Sequence, residues 1–196
     1  IDEAPEDNMA SGSLTITDHI WGHDYDNENY FQYGYSIPEE PQGYEMGANF
    51  YCRVQSTDAI YAVEFALGDN TDAEAVYIRI YEDGTNDPPI SETIYDIVSD
   101  DLSGNSVKFI TVVLDDPVLI SEGSVYTVTV AVEDGDEAYL MGNNIDDNDA
   151  GQVFYSAAAN TWYNWIGLTT AIRLNTNPDV AGISENYETS DLQIYP

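Results

Sequence analysis

Val76-Tyr77-Ile78-Arg79-Ile80-Tyr81 is the stretch that decides the fold. Its β-branched residues hold the even positions, and two tyrosines and an arginine hold the odd ones. Successive side chains leave a pleated backbone on opposite sides, so this alternation describes a strand with one buried face and one open face. Turn residues bracket it, with Leu67-Gly68-Asp69-Asn70 before it and Glu82-Asp83-Gly84-Thr85-Asn86-Asp87-Pro88-Pro89 after it. Val76, Ile78 and Ile80 are therefore expected in a core.

The same rhythm runs outward in both directions. Ser13–Trp21, Tyr44–Val54 and Ala59–Leu67 precede it. Ile90–Val98, Val107–Leu114 and Val125–Val132 follow, with shorter candidates at Ala138–Met141, Gln152–Tyr155 and Thr170–Leu174. Val128 and Val130 join the expected core. Pro88-Pro89 marks the Ile90 strand as a beginning or an edge, because proline donates nothing to a ladder. Pro117 is read as closing a strand, Gly123 as turning a hairpin and Tyr126 as opening the return. No amphipathic helix longer than two turns is evident. About ten short strands with regular turn signals predict an all-β fold, a two-sheet antiparallel β-sandwich, jelly-roll-like by strand count. Residues 1–12 read as an N-terminal arm, 13–176 as the sandwich and 177–196 as a linker. Starting at Ile1, the sequence reads as a processed or truncated chain, with any signal peptide out of view.

The 196 residues carry 37 Asp and Glu against four Lys and Arg, a formal net charge of −33. Such a chain repels phosphate backbones and anionic lipid surfaces, which argues against nucleic-acid binding. No apolar run is long enough to cross a bilayer as a helix, so no membrane insertion is expected. With 12% aromatic residues the chain is also unlike disordered acidic sequences. A carboxylate-rich, lysine-poor surface stays soluble by hydration and self-repulsion, which salt screens, and this suits an extracellular protein in saline water. The single cysteine, Cys52, excludes an intrachain disulfide. In the apolar run Phe50-Tyr51-Cys52-Arg53-Val54 it reads as a small buried hydrophobe.

The tail, Ala181-Gly182-Ile183-Ser184-Glu185-Asn186 and then Asp191-Leu192-Gln193-Ile194-Tyr195-Pro196, resembles the approach to a type IX secretion sorting domain of Bacteroidetes. Those domains commonly open on hydrophobic-x-hydrophobic-Tyr-Pro-Asn-Pro, and Leu192–Pro196 matches that opening up to its Asn-Pro. The body from Phe50 to Leu174 is similar to β-sandwich domains that precede such sorting domains in secreted proteins. The similar pieces are Val76–Glu82, Val118–Val128, Gly151–Tyr155, Trp162 and Ala171–Asn175. The resemblance implies an accessory or adhesive domain handled by the type IX secretion machinery and followed by a sorting domain. It transfers no active site.

Candidate chemistry is sparse. His19 and His23 flank Trp21, with Asp24, Asp26 and Glu28 behind them. On one extended strand the two rings stand about 13 Å apart, too far for one zinc ion unless the chain bends at Gly22, so surface or packing roles are expected. Two acidic loops are the better metal candidates. Asp83, Asn86 and Asp87 in one, and Asp146, Asp147 and Asp149 in the other, offer oxygen ligands of the kind structural calcium takes, although neither has EF-hand spacing. Asn160-Thr161-Trp162-Tyr163-Asn164-Trp165 gathers rings and amides, and Trp21 and Tyr25 lie in a second aromatic segment. Pyranose C–H faces stack on rings while hydroxyls bond amides and carboxylates. Asn160, Trp162, Tyr163, Asn164, Trp165, Trp21 and Tyr25 are thus the candidate ligand residues.

No Gly-x-Ser-x-Gly, His-Glu-x-x-His or phosphate-cradling glycine loop is present, and catalysis is not expected. The leading expectation is a non-catalytic extracellular or cell-surface β-sandwich for binding or adhesion, with a glycan or another cell-surface ligand as partner. The alternatives are a ligand-free structural spacer or matrix domain and a small secreted hydrolase. A concave face with exposed rings would favour the first and a flat, carboxylate-covered face the second. Two convergent carboxylates in a cleft would favour the third. If an acidic loop holds calcium, a chelator lowers the melting temperature and added calcium restores it, by about 2.7 kcal/mol at a hundred times the dissociation constant. A melting temperature indifferent to both at low ionic strength removes calcium from the account.

Overall fold

A computed structural model of the chain describes residues 15–16, 19–24, 30–33, 44–52, 58–84, 88–104, 106–133, 136–143, 152–156, 161–165 and 169–182. For residues 15–16, 33, 152–156 and 164–165 it describes the backbone alone. In chain order the strands are β1 (Thr15–Ile16), β2 (Ile20–Gly22), β3 (Tyr30–Tyr33), β4 (Tyr44–Tyr51), β5 (Ala59–Phe65), β6 (Leu67–Gly68), β7 (Ala75–Glu82) and β8 (Ser91–Asp96). They continue as β9 (Leu102–Ser103), β10 (Ile110–Leu119), β11 (Val125–Val132), β12 (Leu140–Asn143), β13 (Gln152–Ser156), β14 (Thr161–Trp165), β15 (Thr169–Thr170) and β16 (Ile172–Asn175).

The fold is an all-β sandwich of antiparallel sheets. One layer is five-stranded, in the order β1-β2-β16-β5-β10, and the other is six-stranded, in the order β14-β13-β4-β11-β7-β8. Register explains why they pack. In the six-stranded sheet Met46, Val130 and Ile78 are paired neighbours, as are Ala48, Val128 and Ile80. In the five-stranded sheet Val112, Val63, Leu174 and Trp21 form one row across four strands. These rows meet in a single apolar cluster. Val76, Ile78, Ile80 and Val128 are fully buried and Val130 is 3% exposed, as the alternation requires. Phe65 reaches from one layer to Tyr95 of the other, ring edge against face at 6.3 Å between centroids. Each fully buried large side chain of this kind stabilises the fold by about 1.5–3 kcal/mol.

Tyr126 joins core to turn. Its ring is buried. Its hydroxyl accepts from the Ser121 N–H at 2.9 Å and donates to Glu82 at 2.9 Å, which ties the β10–β11 connection to the end of β7. That connection is not the expected hairpin, because β10 pairs with β5 in one layer and β11 with β4 and β7 in the other, so the turn carries the chain between layers. Gly123 supplies the turn's positive φ of 88°. Pro117 behaves differently from expectation. It does not close a strand, because β10 runs on to Leu119. The register jumps between Val113 and Val118, and Pro117 falls in that irregularity on an edge strand, where its missing N–H breaks no ladder bond. Asp115, Asp116 and Pro117 also make this edge a poor template for a foreign strand. Beside it, β8 is the edge of the other layer, and the Asp115 N–H donates to the Thr93 hydroxyl at 3.4 Å.

A third, smaller sheet, β15-β12-β6-β9, is added to the two layers, with β3 also pairing β12. Only its β6–β9 pair is parallel among the described strands. It joins the five-stranded sheet at three residues. The Ala66 N–H donates to Ala171 O, Ala171 N–H to Met141 O and Met141 N–H to Ala66 O, at 3.2, 2.8 and 2.8 Å. The same three residues are buried as a second apolar cluster, against which Tyr30, Val107 and Phe109 pack. After β16 a 3-10 turn, Pro178–Ala181, is capped by the Asn177 side chain and closed at Gly182.

Cys52 is 1% exposed, and burial pushes its thiol up to about 12. Thiolate is the reactive form. Cys52 should therefore resist a thiol-specific chromogenic disulfide reagent at pH 8 in the native state and react completely within minutes in denaturant. Fast native labelling would contradict this packing.

Candidate functional site

Alternation sends the odd residues of β4, β7 and β11 away from the core. Glu45, Gly47 and Asn49 thus share the outer face of the six-stranded sheet with Thr127, Thr129 and Ala131, and with Tyr77, Arg79 and Tyr81. On β8, Glu92 stands beside Arg79 and Ile94 beside Tyr77. An outer face of polar side chains is ordinary. This one is unusual in being largely closed to water: Glu45 and Tyr81 are each 5% exposed and Thr129 is fully buried.

Burial of Glu45 requires donors, since an unpaired carboxylate away from water is very costly. Three converge on it. Arg79 Nη1 pairs with one carboxylate oxygen, while the Tyr81 and Thr129 hydroxyls donate to the other at 2.9 and 2.8 Å. Arg79 Nε donates to Glu92 at 2.6 Å. The Tyr77 ring lies under the Arg79 guanidinium at 5.4 Å. Burial works to lower the affinity of Arg79 for its proton, but its bonds to Glu92 and Glu45 and their charges outweigh that and hold it above its ordinary value. Burial and then the Glu45 charge push the Tyr81 phenol well up, so it remains a neutral donor.

Trp162 gives the face its shape. Its register on β14 is opposite Tyr155, which pairs with Glu45, so it belongs to the same outer face. Its ring meets Tyr81 edge-to-face, 5.6 Å between centroids. β14 and β7 are separated by β13, β4 and β11. Four strand spacings in a flat sheet amount to about 19 Å, beyond what the two side chains can bridge. The sheet is therefore curled, and its outer face is concave. Gly47 lies in the middle of the curl, where a Cβ would come within 1.9 Å of the Val128 carbonyl oxygen. Only glycine allows β4 and β11 to approach this way.

The other layer carries a matching arrangement. Asp24, with its side chain fully buried, is held by Arg173 through Nε at 3.0 Å and Nη2 at 2.7 Å, and it accepts from the Tyr30 hydroxyl at 3.0 Å. Arg173 sits over the Phe109 ring at 3.8 Å. Burial raises the Asp24 carboxyl even against the pull of Arg173, and burial together with the Asp24 charge pushes the Tyr30 phenol up to about 12.

The residues singled out from sequence fall in several places. Trp162 is half-buried in the concave face. Tyr163, 47% exposed, has the opposite parity. Asn164 and Trp165 belong to β14, where the backbone alone is described, and Asn160 and Tyr25 lie outside the described residues. Trp21 is 9% exposed within the main core. The His23 ring nitrogen Nε2 is 3.0 Å from the Asn49 carbonyl and the ring stacks on Phe50, while His19 is exposed. Asp83 accepts from the Val125 N–H at 2.9 Å and from the Ser124 hydroxyl at 3.4 Å, which ties the end of β7 to the start of β11. Asn86, Asp87, Asp146, Asp147 and Asp149 lie outside the described residues. Among the described residues no three His, Cys, Asp or Glu side chains converge as a cation would require.

Glu45, Thr129, Arg79 and Glu92 escaped the sequence reading. The available signal was Arg79 itself, one of only four basic residues, flanked at i±2 by tyrosines on the open side of the strand. Replacing Arg79 with Met strands Glu45 and should cost about 3 kcal/mol in urea unfolding, the low end for a buried pair because Arg79 is partly open. Adding Glu45→Gln should recover a large part of the loss. Equal stability of all three proteins would mean that the pair is incidental. No protein-family model matches the chain, and no curated protein is significantly similar to it.

Proposed function

We propose that the chain is a non-catalytic extracellular binding module, and that the concave face of its six-stranded sheet takes a neutral glycan. The observation that carries this is the contact of Trp162 with Tyr81 across the curled sheet. It gathers a half-buried indole, a guanidinium and two carboxylates on one hollow surface. Such a surface suits a sugar: the ring covers a pyranose C–H face, while Arg79 donates to hydroxyls and Glu92 accepts from them. Glu45, saturated by its own donors, acts as the brace that fixes Arg79. Local charge is one cation against two anions within a strongly acidic chain, which disfavours sulfated or uronic polymers. The low lysine content and the tail stretch 192–196, which lies outside the described residues, support export and a type IX secretion route. One observation favours the spacer reading instead. Glu45, Tyr81 and Thr129 satisfy one another so fully that the network can serve stability alone.

A glycan array and cell-surface binding with the whole domain separate the two. The wild type should bind a neutral saccharide, and Trp162→Ala should weaken that binding at least tenfold with a melting temperature within a few degrees of the wild type. A wild type that binds no glycan and no cell surface, together with a Trp162→Ala protein that unfolds, would make the face structural.

A further inference from the structure

Asn143 and Thr169 end the strands of the small sheet and pair directly with each other, and Asn143 pairs on its other side with Tyr30. The three side chains therefore form one row. Alternation along β12 puts Asn143 on the side of Met141, which is the side of the second apolar cluster with Ala66 and Ala171. Tyr30 turns its hydroxyl to Asp24, whose charge Arg173 neutralises. Asn143 and Thr169 are both fully buried. Neither the Asn143 Oδ1 and Nδ2 nor the Thr169 Oγ1 has a hydrogen-bond partner among the described residues.

Three orphaned polar atoms on two adjacent side chains is a costly arrangement, since each forfeits its hydration without a replacement. Any guest that satisfies them must be small, because the neighbouring Ala66, Met141 and Ala171 are packed by Tyr30, Val107 and Phe109. The chemistry of the row decides which kind. Nδ2 only donates and Oδ1 only accepts, and exchanging the two by an amide flip leaves one of each. A bare cation would satisfy the oxygens and be repelled by the amide hydrogens. An anion would meet the reverse. The guest must be uncharged and must both accept and donate, with about three polar partners, which is the number a buried water makes. We infer that Asn143 and Thr169 form a closed site for a small neutral hydroxyl-bearing guest, water being the smallest that fits.

Nuclear magnetic resonance on the wild type tests this directly. Cross-relaxation from the Asn143 side-chain amide protons to the water resonance supports the site and identifies water. Cross-relaxation to carbon-bound protons of a co-purified polyol supports it and identifies that instead. Thr169→Val, equal in shape and lacking the hydroxyl, gives an independent readout. It should lower the melting temperature by a few degrees, because it removes a hydrogen bond to the guest. No cross-relaxation of either kind, with a Thr169→Val protein that melts higher than the wild type, would mean the row is dry and would overturn the inference.

Discussion

Two guanidinium groups make the burial of two carboxylates tolerable, and much of the molecule is arranged around them. Arg79 holds Glu45 on the outer face of one layer, and Arg173 holds Asp24 on the outer face of the other. Each cation is backed by an aromatic ring, Tyr77 in one case and Phe109 in the other. In a chain with a net charge of −33, basic residues are the scarce component, and two of the four are committed to these pairs. The remaining carboxylates of such a surface repel one another and are screened by salt within about 10 Å at 0.1 M. The two buried pairs are shielded from that screening. Salt therefore relaxes the surface without dissolving the features that shape it.

The consequences differ on the two sides. On the six-stranded sheet, the Glu45 network lies on the inside of the curl, with the partly open Trp162 ring against Tyr81. On the five-stranded sheet, the Asp24 network is covered by β3 and the small sheet and becomes interior. One device produces a partly open polar face in one place and a second small core in the other.

What could be read from the sequence follows from where the information is local. Val76, Ile78 and Ile80 announce their burial because a single strand's alternation carries it. The edge character of β8 follows from Pro88-Pro89 in the same way. Tyr30–Tyr33 and Thr161–Trp165 did not read as strands, because aromatic and polar residues mix there without period two and the pairing of neighbours decides. Pro117 misled, because an irregular edge strand tolerates a proline that a regular one would not. Trp162 was noticed for its ring alone. That Glu45 and Arg79 belong together was not legible, since they are 34 residues apart on strands separated by β11, and only the register of three strands brings them side by side.

The ring of hydrogen bonds among Ala66, Met141 and Ala171 bears on how the chain acquires this structure. Its members are separated by 75 residues (141 − 66), 30 residues (171 − 141) and 105 residues (171 − 66). Contacts this distant close large loops before they return any stabilisation, and such topologies fold slowly. β16 makes the delay more severe. It lies between β2 and β5, so the middle of the five-stranded sheet is contributed by the last of the described strands. A polypeptide emerging from its N-terminus keeps β2 and β5 apart until residues 172–175 arrive, and the five-stranded sheet closes only when they do.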